Sequence, residues 1–130
     1  MTTHRTLTIT MQTDWRAALR QAGKRAAMAR SGYQGETLNF ETPAAFFGRL
    51  TERRWALVTL LLGESTLGLR ELARRAGRDV KRVHEDVQVL TELGLLERDL
   101  AGGVLCPFAD VHIDMHVRQQ VGGLVSEASA

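Results

Sequence analysis

Apolar and polar positions alternate from Thr6 to Met11, where Leu7, Ile9 and Met11 stand between threonines. A period of two with β-branched residues predicts a half-exposed strand. The period then lengthens. Trp15, Ala18, Leu19, Ala22 and Ala26 recur at helical spacing and predict a helix from about Trp15 to Ala29, with Thr13 or Asp14 available as its cap. Arg16, Arg20, Lys24 and Arg25 form a second, cationic stripe on it. That stripe suits DNA backbone, an acidic partner protein or plain solvated surface. Gly32 and Gly35 mark a loop, and Leu38 to Glu41 reads as a short extended piece.

Thr42-Pro43 starts a short helix that reaches Leu50, with proline where its missing N–H costs nothing. Thr51 caps another, whose Trp55, Leu57, Val58, Leu61 and Leu62 make it the most apolar helix and place it centrally in the core; Gly63 stops it. Ser65 to Gly68 is a turn or short strand. Leu69 to Ala76 is a short helix with Leu69, Leu72, Ala73 and Ala76 on one face, and Gly77 permits a tight turn. Asp79 caps a longer helix in which Val80, Val83, Val87, Leu90 and Leu93 form one buried stripe, and Gly94 ends it. Leu95 to Asp99, the reversal Ala101-Gly102-Gly103, and Val104 to Phe108 predict a β-hairpin. Val111, Ile113, Met115 and Val117 alternate with His112, Asp114, His116 and Arg118 as a second amphipathic strand, and residues 121–130 read as a mobile tail. The Thr6–Met11 strand can pair with the Val111–Val117 strand within one chain or across a dimer.

Composition narrows the class. With 130 residues, 44% of them apolar, the chain fits one core with appended segments, and wholesale disorder is excluded. No apolar run approaches a membrane span, and the polar start argues against a secretory signal. A single cysteine, Cys106, cannot form an internal disulfide, so the cytoplasm is the expected compartment. The net charge is only +2, but it is unevenly placed: +5 over residues 1–35, −1 over 36–69, +2 over 70–86 and −4 over 87–130. Such polarity suits a protein that meets a polyanion with one part and something else with another.

A short helix, a glycine turn, a longer helix opening on cations and then a hairpin together describe a winged helix-turn-helix within an α+β fold. The major groove admits one helix, whose first turns reach the base edges. Arg78, Lys81, Arg82 and His84 are the long donors on the front of that helix, Glu85 can accept from cytosine N4, and Arg70, Arg74 and Arg75 on the preceding helix meet phosphates. Arg98 is the only basic residue of the wing. The expected organisation is an N-terminal strand–helix arm over 1–42, a winged helix-turn-helix over 43–108, and a C-terminal strand and tail over 109–130.

The stretch Leu69-Arg70-Glu71-Leu72-Ala73-Arg74-Arg75-Ala76-Gly77-Arg78-Asp79-Val80-Lys81-Arg82-Val83-His84-Glu85-Asp86-Val87, followed by Leu90 and Leu93-Gly94-Leu95-Leu96-Glu97, resembles a family of short winged-helix transcriptional regulators of bacteria and archaea, grouped near the MarR-type and ArsR-type repressors. Gly77 to Val87 is its most specific part. The resemblance extends to Leu7-Thr8-Ile9, Phe40-Glu41-Thr42-Pro43 and Leu50-Thr51-Glu52-Arg53-Arg54. It implies sequence-specific binding of double-stranded DNA, most simply as a homodimeric repressor, with Arg78, Lys81, Arg82, His84 and Glu85 facing the duplex. Some members look like antitoxins, so the alternative is a protein-binding module that neutralises a toxin and represses its own operon.

Other signals are weaker. Asp110, His112, Asp114 and His116 share one strand face, but same-face neighbours lie ~6.6–6.8 Å apart, wide for one ion, so a polar outer face is expected and no metal. Cys106 reads as a small buried hydrophobe. No nucleophile, pocket or glycine-rich phosphate loop accompanies Asp79, His84 and Glu85, so neither catalysis nor a cofactor is expected.

Overall fold

The computed structural model describes residues 5–12, 19–20, 23 and 35–117. The expected tail over 121–130, and all but Leu19, Arg20 and Gly23 of the expected helix between Trp15 and Ala29, lie outside the described residues; those three are helical or within a helix. The elements run β1 (Thr6–Met11), β2 (Glu36–Phe40), α1 (Pro43–Arg49), α2 (Glu52–Leu61), α3 (Leu69–Ala76), α4 (Val80–Leu93), β3 (Glu97–Arg98), β4 (Val104–Leu105) and β5 (Asp110–Asp114). The fold is α+β, as the patterning predicts.

β1 is the centre of a three-stranded sheet ordered β2-β1-β5, and both neighbours run parallel to it. Ile9 pairs with Leu38 on one side and Ile113 on the other. The pairing of the first and last strands is therefore made within one chain. Parallel strands need long crossovers: residues 12–35 supply one, and everything from α1 to β4 supplies the other. A central strand has no free edge, so β1 is more deeply buried than a half-exposed strand: Leu7, Ile9 and Thr10 are all buried. The Thr10 hydroxyl donates to Asn39 Oδ1 at 2.7 Å, and the Asn39 amide bridges to both the N–H and the carbonyl of Gln12. At the other end of the strand pair, Arg5 donates twice to the Glu36 carboxylate and stacks over the Phe108 ring. β5 ends at Asp114, earlier than the alternation to Val117 suggests, and Val117 is exposed.

The helices start where their caps predict. The Thr42 and Thr51 hydroxyls accept from the N–H groups of Ala45 and Arg54, and Asp79 accepts from those of Lys81 and Arg82. Gly77 and Gly94 end α3 and α4 in the left-handed conformation. Leu57, Val58 and Leu61 of α2 are fully buried against Leu72 of α3 and Val83, Val87 and Leu90 of α4, in one cluster that also contains Leu7 and Ile9. Val80 is a correction to the predicted stripe: it is 38% exposed, because the packed side of α4 begins one turn later, at Val83. Leu67 bridges to Val104, so the segment before α3 lies alongside the β3–β4 hairpin. Among the described residues no helix is long and apolar enough to cross a membrane.

Candidate nucleic-acid interface

With Val83, Val87 and Leu90 sealed behind it, α4 turns Lys81, Arg82, Glu85, Gln88 and Glu92 outward, all exposed. Lys81, Glu85 and Gln88 stand at i, i+4 and i+7, one line along the helix. Neither Lys81 nor Arg82 has an ion-pair partner among the described residues. His84 is half-buried on the flank of the helix. Gln88 belongs to the same surface and escaped the charge-based reading; its spacing from Lys81 was the available signal.

Arg78 stands apart from these. Its guanidinium is 18% exposed and donates to Asp86 Oδ2 at 2.6 Å. Arg54 of α2 donates to the other carboxylate oxygen, Oδ1, at 3.0 Å, and also to the Arg49 carbonyl. One carboxylate on α4 thus clamps the α3–α4 turn and the start of α2. Burial pushes the Asp86 carboxyl up, but the Arg78 and Arg54 guanidiniums together outweigh it and hold the group below its ordinary range. Arg78 is therefore turned to the clamp rather than outward, contrary to its expected place beside Lys81. Local patterning misses it, because Asp86 lies eight positions from Arg78, across the turn into α4, and its other partner Arg54 lies 32 positions away.

The cations of α3 are also partly engaged. Arg74 and Arg75 both donate to Glu71, which draws that carboxyl down to about 2, and Arg75 also lies 3.8 Å from Glu64. Arg70 is exposed and outside these pairs. Arg53 lines a groove of about 490 Å³ with Arg75 and Arg78, which carries the cationic surface across to α2. In the hairpin, the Arg98 guanidinium folds back and donates twice to the Gly102 carbonyl. The tip presents Leu100, fully exposed. Neither Asp110, His112, Asp114 and His116 nor any other His, Cys, Asp or Glu side chains among the described residues come together in a group of three or more that could ligate an ion. Cys106 is buried, and burial pushes its thiol up.

Residues 49–113, half of the chain, match the family HVO_A0114. The chain belongs to that family. The match runs from the last residue of α1 into β5, so it takes in α2, α3, α4 and the hairpin and leaves out β1 and β2. Comparisons with curated proteins and with solved structures found no match.

Proposed function

We propose that this HVO_A0114-family chain is a sequence-specific, double-stranded-DNA-binding transcriptional regulator built on a winged helix-turn-helix. The observation that carries the reading is the start of α4, where Lys81 and Arg82 are exposed and outside every ion pair among the described residues, on a helix anchored by fully buried Val83, Val87 and Leu90. A helix so held can enter a major groove by its first turns. Lys81 and Arg82 suit guanine O6 and N7, Gln88 suits adenine, and Glu85 can accept from cytosine N4. Arg70 and Arg53, both exposed, would supply phosphate contacts. Arg74 and Arg75 would exchange part of their pairing with Glu71 for phosphate oxygens, and the β3–β4 hairpin is the wing.

Selection of bound fragments from random duplex DNA tests the reading and returns the site. On the selected duplex, Lys81→Ala with Arg82→Ala should cost about 2–6 kcal/mol, at ~1–3 kcal/mol per base contact. Arg70→Ala should weaken all sequences alike and lower the salt slope by about 1. Failure to enrich any sequence, or full affinity in the double variant, would refute it.

A further inference from the structure

The edge of the sheet at β5 carries a pattern that duplex binding does not use. β5 has β1 on one side and, among the described residues, no strand on the other. Such an edge leaves backbone N–H and C=O groups open to another strand. Its side chains divide by chemistry. Asp110, His112 and Asp114, with His116 two residues past the end of β5, are all exposed and alternate with Val111, Ile113 and Met115; pairing with another strand would extend β5 through Met115 and His116. None of the four polar residues has an ion-pair partner among the described residues. On the apolar side Ile113 is 37% exposed and opens on a cavity of about 330 Å³ lined by Phe46, Phe47, Leu50 and Trp55, with Phe47 itself 59% exposed.

We propose that a second copy of this chain pairs with β5 edge to edge, antiparallel, about a two-fold axis through Ile113. In an antiparallel pair, residues directly opposite share a face of the sheet. With Ile113 opposite itself, Asp110 meets His116 of the second copy, His112 meets its Asp114, and Val111 meets its Met115. Symmetry repeats each contact. Every polar pair then joins a carboxylate to an imidazole, and every apolar residue meets an apolar one. Other registers lose this. A shift of one sets His112 against Ile113 and mixes the faces. A shift of two sets Asp110 against Asp114, or Asp114 against itself. A shift of four keeps only one kind of carboxylate–imidazole pair, Asp110 with His112 or Asp114 with His116, so the number of matched pairs selects the register centred on Ile113, which joins the two sheets into one and brings the two Ile113 side chains together beside the Phe47 cavities.

The pairing stands apart from the duplex reading and is tested without DNA. Sedimentation velocity of the full chain should find a dimer on the order of 10 μM. Asp114→Lys sets lysine against His112 and should weaken the dimer by about tenfold or more, and adding His112→Glu in the same chain should restore it. In a Cys106→Ser background, Ile113→Cys should oxidise to a covalent dimer and Val111→Cys should not, since the axis holds the two Val111 positions apart. Circular dichroism checks that each variant is folded. A monomeric wild type, an Ile113→Cys chain that does not cross-link, or an Asp114→Lys dimer as tight as wild type overturns the proposal; failure of His112→Glu to restore overturns the register.

Discussion

Arg78 and Arg82 lie four positions apart and look alike in sequence, yet one precedes α4 in an ion-pair clamp and the other is exposed on its first turn. Asp86 accepts from Arg78 and Arg54 at once, at 14% side-chain exposure, and so ties the α3–α4 turn to α2. Replacing the carboxylate by an amide removes the charge that holds the two guanidiniums and turns one of the two acceptor oxygens into an NH2 donor facing a guanidinium. Asp86→Asn should therefore cost about 2–4 kcal/mol at pH 7, a little under the range for a fully buried pair, read from urea unfolding. The pH dependence has a definite sign. The carboxyl is lowered in the folded state, so its contribution is complete above the ordinary aspartate value of ~3.9 and is lost as pH falls through the lower folded value. The gap between wild type and Asp86→Asn should close as pH drops below ~4, and a gap that stays constant would show that the clamp is not ionic. None of this was legible from charge counts, which give Arg78, Lys81 and Arg82 equal weight; the difference is made by a carboxylate eight positions on from Arg78, in the next helix.

At the scale of elements, local signals were sufficient for α1 to α4. Threonine and aspartate caps, proline at the first turn of α1 and left-handed glycines at the ends of α3 and α4 all act within one turn of chain. The hairpin also has a local cause. Asp99 receives N–H groups from Gly102 and Gly103, through its carbonyl and its carboxylate, and Gly102 has a φ of 90° that favours glycine. Gly103 is needed for a different reason: a Cβ there would sit 2.3 Å from the Thr66 methyl and 3.1 Å from the Asp99 carboxylate. Gly103→Ala should lower stability by about 1–3 kcal/mol through overpacking, measured by thermal or urea unfolding. Thr66→Ala in the same chain should recover much of the loss, because the nearest obstacle is gone. The ends of β5 were harder to place. Alternation continues to Val117, but strand structure stops at Asp114, where pairing with β1 stops.

Across the whole molecule, the strand that begins the chain is buried with the helices in the middle of it. Ile9 is fully buried, in the same apolar cluster as Leu57 and Leu90. Ile9→Ala should therefore cost about 2–5 kcal/mol, and circular dichroism of the helices should lose its signal in the same single transition as the rest. Two transitions, with the helices surviving the first, would show that β1 and α2 to α4 unfold apart. The same topology places the cationic start of α4 and the β5 edge on separate elements, so the proposed duplex binding and the proposed pairing of two copies can be tested by separate mutations.

By itself the sequence determined the order and nearly all the limits of α1 to α4, the hairpin, the apolar stripe of α4 apart from Val80, and the candidate cations, because each depends on spacing within a few residues. Tertiary structure alone decided that β1 lies between β2 and β5 with both parallel to it, and that Arg78 belongs to a clamp while Lys81 and Arg82 face outward. Those outcomes depend on which distant segments meet. An alternating strand is compatible with several neighbours and either direction, and a guanidinium goes to whichever carboxylate the packing brings within reach.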